Sequence, residues 1–151
     1  MQGYEKVAVG RRIIRVEDWN GVNQFHVFNI RKKVFVEEQK VNRDEEYDEF
    51  ENTSQHYLGW EGRSRVATAR WRHTSEGVKL ERFAVLNGYR NKGMGTDLLK
   101  KVLADAREEG KNIYLHAQLP AVSLYERAGF VKEGEMFSEC GIEHYKMVYK
   151  W

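Results

Sequence analysis

Cysteine, proline and long apolar runs are scarce in this sequence. The chain has one cysteine, Cys140, so it can form no internal disulfide and no multi-cysteine zinc site. It has one proline, Pro120, and its 13 glycines are scattered, so no linker is indicated. No apolar run approaches the ~20 residues of a membrane span. Residues 1–6 lack the apolar stretch of a secretory signal. We therefore expect a cytoplasmic globular protein without a membrane partner.

The composition that remains is typical of one folded domain. The chain has 151 residues, of which 41% are hydrophobic and 32% are charged, which excludes both a disordered chain and a membrane protein. The length predicts a single domain over residues 1–151, large enough to bury a core without disulfides. The net charge of +2 is too small to indicate a nucleic-acid partner.

The charges are unevenly distributed along the chain. Eight acidic residues lie between Glu37 and Glu51, opposed only by Lys40 and Arg43. This segment is either a solvated surface or an acidic rim that attracts a cationic substrate. Four arginines lie between residues 63 and 72, but the strand is short and interleaved with Ala-Thr-Ala, so we expect no nucleic-acid binding there.

Strands and helices are mixed without strict alternation. Alternating and β-branched runs predict strands over residues 12–16, 56–60, 65–72, 78–85, 112–117, 130–133 and 143–149. Apolar spacing and end signals predict helices over 21–35, from Met94 to Ala106 with a stop at Gly110, and from Pro120 to Gly129. The order favours an α/β or α+β sandwich over a doubly wound sheet.

A glycine-rich turn precedes the best helix of the chain. Residues 90–96 read R-N-K-G-M-G-T and follow a predicted strand. Glycines let a ligand approach the backbone closely, and a helix N-terminus presents free N–H groups to an anion. The dinucleotide pattern G-x-G-x-x-G is absent, because Leu98 occupies the position of its third glycine. The P-loop pattern G-x-x-x-x-G-K-[ST] is absent as well. The turn therefore predicts a phosphate-binding cradle of another kind.

The cradle, together with a second motif, resembles the GNAT superfamily of N-acetyltransferases. The second motif, A-V-S-L-Y-E-R-A-G-F over residues 121–130, contains Tyr125 and follows the cradle by about 30 residues. The resemblance extends from about Val34 to Trp151. Residues similar to the ElaA-like branch are Val34–Gln39, Asp48, Ala69–Arg70, Leu80–Arg82, His116–Gln118 and Gly141–His144. Gln118 departs from the asparagine of many members, and Cys140 from the acidic or small residue frequent in the branch.

The resemblance implies a mixed, mostly antiparallel sheet of six to seven strands flanked by helices, and a cofactor, acetyl-CoA, that leaves as CoA. The pyrophosphate would bind the N–H groups of residues 91–96, with charge from Arg90 and Lys92. The pantetheine arm would lie along residues 83–85. The implied cofactor residues are Phe83, Ala84, Val85, Arg90, Asn91, Lys92, Gly93, Met94, Gly95, Thr96, Gln118 and Tyr125.

The implied reaction is acetyl transfer to a primary amine of a cationic small molecule or peptide. Such an amine, with a pKa near ~10.4, is mostly protonated at pH 7, so attack benefits from a base. Tyr125 would protonate the leaving thiolate, and Glu81 and His144 are the chosen candidates for the base. Glu37, Glu38, Gln39 and His116 are assigned to the acceptor site, and Glu37, Glu38 and His116 also stay open as bases. The histidine spacing indicates no metal site.

Three questions stay open from the sequence alone. A non-catalytic acyl-CoA-binding sensor or scaffold would keep the cradle but would not need Tyr125, so that tyrosine favours an enzyme. Cys140 could accept the acyl group, but direct transfer is usual in the superfamily. A homodimer is compatible with the sequence but is not indicated by it.

Overall fold

The computed structural model describes residues 10–151. The segment 1–6, where no secretory signal is predicted, lies outside the described residues. The strands are β1 (Arg11–Arg15), β2 (Gln55–Glu61), β3 (Ser64–Thr74), β4 (Gly77–Val85), β5 (Ile113–Gln118), β6 (Phe130–Lys132), β7 (Phe137–Glu139) and β8 (Ile142–Tyr149). The helices are α1 (Gly21–Arg31), α2 (Arg43–Glu46), α3 (Met94–Arg107) and α4 (Val122–Arg127). A π-helical segment covers Lys32–Glu38, and 3-10 turns cover Asn87–Tyr89 and Leu119–Ala121.

The eight strands form one mixed sheet. Its order is β1-β2-β3-β4-β5-β8-β6, with β7 also paired to β8. Every pairing is antiparallel except that of β4 with β5. The predicted mostly antiparallel sheet flanked by helices is confirmed. The predicted six to seven strands become eight because the three-residue β7 is too short to give a clear alternating pattern.

The two parallel strands diverge, and this opens the centre of the sheet. Residues 78–80 of β4 pair with residues 113–115 of β5, but the pairing stops there. The remaining part of β4, from Glu81 to Val85, therefore has a free edge toward β5. A gap in a sheet exposes backbone N–H and C=O groups that an extended ligand can use.

Apolar clusters cover both faces of the sheet. The amphipathic helix α3 buries six residues against one face: Met94, Leu98, Leu99, Val102, Leu103 and Ala106. Helix α1 buries Val27 and Ile30 against the other face. Consecutive residues of β2, Tyr57 and Leu58, belong to opposite clusters, as the alternation of a strand requires.

The first helix differs from its prediction near the site. It was expected to continue to Phe35, but α1 ends at Arg31 and the chain widens into the π-helical segment. Its last bond runs from the N–H of Gln39 to the carbonyl of Val34, at 3.0 Å. Such π-helical turns are frequent at functional sites. In residues 10–151, no helix combines the length and apolar character needed to cross a membrane.

Candidate active site

Two adjoining cavities lie where β4 and β5 diverge. The first, of about 160 Å³, lies between β4, β5 and the β7–β8 hairpin. Of the predicted residues it brings together Gln39, Glu81, Phe83, His116, Gln118, Tyr125 and His144. The second is a groove along the free edge of β4 and the start of α3. It is lined by the predicted Gln39, Phe83, Ala84, Val85, Arg90, Asn91, Met94, Gly95 and Tyr125.

The start of α3 has free backbone donors. Its N-cap, Gly93, has φ +90°, a left-handed conformation that favours glycine, and no side chain of residues 10–151 caps the helix. The first intrahelical bond from this end runs from the N–H of Asp97 to the carbonyl of Gly93, at 3.0 Å. The N–H groups of residues 94–96 therefore remain available to an anion.

The space around Gly95 shows whether a ligand can reach the backbone of the cradle. A Cβ at this position would have only one close neighbour, Leu124 at 3.8 Å, which is ordinary van der Waals contact. Its φ is not left-handed either. Packing and backbone conformation therefore leave room for a side chain at Gly95. A ligand that closely approaches the backbone would use that room, so the cradle fits a phosphate group.

Arg90 lies at the mouth of the groove and is already paired. Its Nε donates to the carbonyl of Val85 at 2.8 Å, and its two terminal nitrogens bind the Glu38 carboxylate, Nη2 to Oε1 at 2.8 Å. The hydrogen bond from Arg90 lowers the pKa of Glu38. Lys92 and Thr96 are exposed and line neither cavity. Glu38 therefore lies beside the cradle and away from the acceptor side for which it was predicted.

Tyr125 separates the two cavities and lines both. Its side chain packs edge-on to Phe83 and Phe130, with ring centroids 6.0 and 6.1 Å apart. The residue is 7% exposed, and burial raises the pKa of its hydroxyl. Within the described chain that hydroxyl has no hydrogen-bond partner, so its proton is available to a bound molecule.

Glu81 lines the first cavity but is held by cations. Its Oε2 accepts from Arg70 Nε at 2.7 Å and from Arg72 Nε at 2.9 Å, and Lys79 Nζ lies 3.4 Å from Oε1. Burial alone would raise the pKa of Glu81, but these cations lower it. A carboxylate of this kind is a weak base.

A bulge follows Glu81 in β4. Arg70 pairs with Glu81, whereas Thr68 pairs with Ala84, so β4 has one extra residue. Arg82 has φ +60° at this point. The alternation of a strand is broken at a bulge, so the two-residue spacing of Glu81 and Phe83 does not by itself place their side chains on the same face of β4.

Three carboxylates of the acidic segment, those of Glu46, Asp48 and Glu51, belong to an internal ion-pair network. Arg31 and Arg70, each 1% exposed, bind its carboxylates. The contacts are Arg31–Glu46 at 2.6 Å, Arg31–Glu51 at 2.8 Å, Arg70–Asp48 at 2.6 Å, Arg70–Glu51 at 2.9 Å, Arg82–Asp48 at 3.2 Å and Arg82–Glu46 at 3.3 Å. Glu37 is exposed, lines neither cavity and lies 3.8 Å from Lys32. Three of the eight carboxylates expected to form an acidic rim therefore fasten residues 46–51 to α1 and the sheet.

A carboxylate that the sequence reasoning missed lies between two predicted histidines. Glu139 Oε1 is 3.1 Å from His116 Nδ1, and Glu139 Oε2 is 3.7 Å from His144 Nε2. The hydrogen bond from His116 lowers the pKa of Glu139 to about 2, against the opposing effect of burial. The signal available in the sequence was the Cys140-Gly141 pair, which makes a two-residue hairpin turn with φ of +52° and +74°. That hairpin carries both Glu139 and His144 to the cavity.

Gln39 and Gln118 span the cleft. Each side-chain amide donates to the other, at 3.2 and 2.9 Å. This pair connects the end of the π-helical segment to the end of β5. The two residues predicted for different ligands, acceptor and cofactor, are therefore in direct contact.

Cys140 lines the first cavity, but its thiol is not activated. Partial burial and the neighbouring carboxylates of Glu45 and Glu139 raise its pKa to about 11. The nucleophilic form is the thiolate, which is scarce at neutral pH under these conditions. Within residues 10–151, no group of three or more His, Cys, Asp or Glu side chains is arranged to hold a metal ion.

Comparison with known proteins agrees with this geometry. Residues 18–151 match the model of the acetyltransferase (GNAT) domain. The chain is 37% identical over 123 residues to an uncharacterised N-acetyltransferase of Bacillus subtilis, YjcF, a match that covers 80% of this chain and 88% of YjcF. It is 30% identical over 129 residues to the ElaA protein of Escherichia coli, covering 82% and 84% of the two chains.

Solved structures show the same fold. The crystal structure of E. coli ElaA superposes with a TM-score of 0.79 at 25% identity, covering 94% of this chain and all of ElaA. An acyl-CoA N-acyltransferase from Pseudomonas aeruginosa superposes with a TM-score of 0.77 at 24% identity, covering 93% and 99% of the two chains. The family match spans both the cradle and the divergent strands, and the resemblance to the ElaA-like branch is confirmed. The chain belongs to the GNAT family of acetyltransferases.

Proposed function

We propose that this acyltransferase moves an acetyl group from acetyl-CoA to a primary amine of a cationic small molecule or peptide. The observation that carries the proposal is the position of Tyr125. Tyr125 lines both a groove that ends in free helix N–H groups and a cavity that is also lined by His144. Within residues 10–151, neither the Tyr125 hydroxyl nor Nε2 of His144 has a hydrogen-bond partner.

The groove would hold the cofactor. The N–H groups of residues 94–96 and the guanidinium of Arg90 would bind phosphate, with support from exposed Lys92. The free edge of residues 83–85 would bind the pantetheine arm as an added strand. Bound acetyl-CoA supplies an activated acyl thioester. Tyr125 is suited to giving its proton to the leaving sulfur at the junction of the two cavities.

His144 is favoured over Glu81 as the base. The Nδ1 of His144 lies 2.7 Å from the carbonyl of Ile142, which can only accept, so Nδ1 carries the proton. Nε2 of the neutral ring then has a free lone pair for the proton of the attacking amine. Glu81 has its charge neutralised by Arg70, Arg72 and Lys79, and so has little tendency to take a proton.

Support for a cationic acceptor now comes from one residue of the cavity. Glu139 is an ionised carboxylate that opens toward solvent, with its side chain 42% exposed. The carboxylates of Glu46, Asp48 and Glu51 are paired with arginines and contribute less than the sequence suggested. A single domain over residues 1–151, a cytoplasmic location, the absence of a nucleic-acid or membrane partner and the homodimer alternative stay predictions.

Acetyl-CoA turnover against a panel of amines tests the proposal. We expect thiol release with polyamines and lysine-like compounds, and a loss of turnover in Tyr125→Phe that exceeds any rise in KM for acetyl-CoA, because the hydroxyl acts as the thiolate forms. Tyr114→Phe is a matched control, because its hydroxyl contacts Thr74, outside both cavities. Tight CoA binding without turnover of any amine would favour the alternative, a non-catalytic sensor or scaffold.

A further inference from the structure

The contacts that Glu139 makes with His116 and His144 go beyond its proposed role in attracting a cationic acceptor. Glu139 lies on β7, whose residues pair with β8, and β8 in turn pairs with β5. These pairings bring Glu139 between His116 of β5 and His144 of β8. Phe137 packs against both rings, stacked on His144 at 5.8 Å and edge-on to His116 at 5.0 Å. The three polar side chains are thus fixed relative to one another by the sheet and by one aromatic ring.

The hydrogen-bond roles within this cluster follow from chemistry. The ionised Glu139 can only accept, so the proton on His116 lies at Nδ1, directed at Oε1. This bond aims the second oxygen, Oε2, at His144. In neutral His144, Nδ1 donates to Ile142, so Nε2 has no proton to give to Oε2, and the 3.7 Å separation is too long for a hydrogen bond.

The pair changes when His144 takes a proton. The attacking amine loses its N–H proton to Nε2, and the ring becomes an imidazolium with a new N–H beside Oε2. The imidazolium of His144 and the carboxylate of Glu139 then carry opposite charges, with Nε2 and Oε2 3.7 Å apart, in a cavity where solvent screens them only partly. We propose that Glu139 is a positioning residue that stabilises the imidazolium form of His144 during acetyl transfer; this rests on the proposed function, in which His144 is the base.

Other charges near the pair do not replace Glu139. Lys79 of β4 and His116 of β5 face Glu139, and both interact favourably with its carboxylate. Across from His144 on β5 stands Gln118, which is neutral and bonded to Gln39. Cys140 stays a neutral thiol at pH 7 because its pKa is about 11. Within the described residues, Glu139 is the one acidic partner within 4 Å of the His144 ring.

The test is a pH titration of the His144 imidazole by NMR in the full chain, without any substrate. Glu139→Gln keeps the shape and an acceptor for His116 but removes the charge, so we expect the titration midpoint of His144 to fall by roughly one pH unit. We take the lower end of the usual range because Glu139 is 42% exposed. Glu139→Asp keeps a carboxylate on a shorter arm, and its midpoint should lie between those of the other two.

Glu143→Gln is the matched control. Glu143 precedes His144 on β8 but is exposed and projects from the opposite face of the strand. The same charge is removed, so a general electrostatic effect would shift both variants alike, whereas we expect Glu143→Gln to leave the midpoint within a few tenths of a unit. An unchanged or higher midpoint in Glu139→Gln, or equal shifts in the two glutamine variants, would overturn the inference.

The kinetic arm separates this inference from the proposed function. In the wild type, the acid limb of kcat/KM for the amine should follow the NMR midpoint, and in Glu139→Gln it should move to lower pH while the plateau falls. A wild type that turns over no amine would refute the proposed function and leave the titration result intact. If the wild type turns over an amine and the acid limb lies at the same pH in Glu139→Gln, the inference is refuted and the proposed function is not.

Discussion

The two sides of the cleft are built in different ways. The cradle comes from one contiguous stretch, residues 90–96, and its donors are backbone N–H groups fixed by the start of α3. The acceptor wall is assembled from side chains far apart in sequence: Gln39, Glu81, His116, Glu139 and His144. A site made of backbone N–H groups tolerates most side-chain substitutions, except those that place a side chain where the ligand must lie. A side-chain site depends on every partner that orients it, so single substitutions should have different consequences on the two sides.

The largest effect is expected on the acceptor side, at His144. His144→Gln removes the nitrogen that we propose takes the amine proton, so kcat/KM for the amine should fall by roughly 10²- to 10⁴-fold. CoA affinity by calorimetry should be unchanged, because His144 does not line the cofactor groove. His73→Gln is the control, since His73 is an exposed histidine paired with Glu109 and outside the cavity. An equal fall in both variants would mean that the loss is not due to the cavity.

A second prediction concerns the network that fastens the acidic segment to the sheet. Arg70→Ala leaves the buried carboxylate of Glu81 and the half-buried carboxylates of Asp48 and Glu51 without their shared partner. Breaking a buried pair by removing one member costs about 3–5 kcal/mol of unfolding free energy. Denaturant unfolding measures this loss. Lys101→Ala, which removes an exposed cation paired with Asp105, should cost less than about 1 kcal/mol.

The same network predicts how stability depends on pH. The pKa of Asp48 is lowered from 3.8 to about 2: burial raises it, but the hydrogen bond and charge of Arg70 outweigh that effect. A carboxyl with a depressed folded-state pKa contributes stability that is fully present above its unfolded pKa. That contribution should be lost as the pH falls from about 4 toward 2. In Asp48→Asn, the fall in melting temperature over this interval should be smaller than in the wild type.

The difference between the two sides also explains how far the sequence could be interpreted. The glycine turn and the helix start of the cradle were predictable because both are local signals, and phosphate binding there stays a prediction. The pairing of Glu46, Asp48 and Glu51 was not predicted because their partners, Arg31 and Arg70, come from a helix and a strand outside the acidic segment. Glu139 was missed because its three-residue strand has no period to recognise. The bulge at Arg82 was unpredictable for a similar reason, since it depends on the register of β3 against β4.

A fourth prediction tests the backbone site directly. Gly95→Ala should raise the Kd for CoA by about tenfold or more, because the methyl group occupies space that the phosphate needs. The protein itself has room for it, with Leu124 at 3.8 Å. Alanine favours a helix over glycine by about 0.8–1 kcal/mol, so the melting temperature should hold or rise. Gly88→Ala is the control, because no described residue lies within 4 Å of its added Cβ and it does not line the groove. A Gly95→Ala protein that binds CoA like the wild type would exclude close approach of a ligand at this position.

The smallest effect is expected where the two sides meet, at the Glu38–Arg90 pair. The carboxylate occupies the guanidinium that we propose binds phosphate, so the two anions compete for Arg90. Glu38→Gln should therefore tighten CoA binding. Exposed ion pairs are worth about 0.2–1 kcal/mol, which corresponds to no more than about a fivefold change in Kd.

Salt and a neighbouring variant distinguish this competition from other causes. Raising ionic strength screens exposed charges, so the gain in Glu38→Gln should shrink as salt rises. Glu37→Gln removes the same charge one residue earlier, where the nearest cation is Lys32 at 3.8 Å, and should leave the Kd for CoA unchanged. Weaker CoA binding in Glu38→Gln would mean that the carboxylate orients Arg90 toward the phosphate and does not compete with it. In that case Glu38, at the end of the π-helical segment, is part of the cofactor site because it orients Arg90. The residues that line the acceptor side would then begin at Gln39.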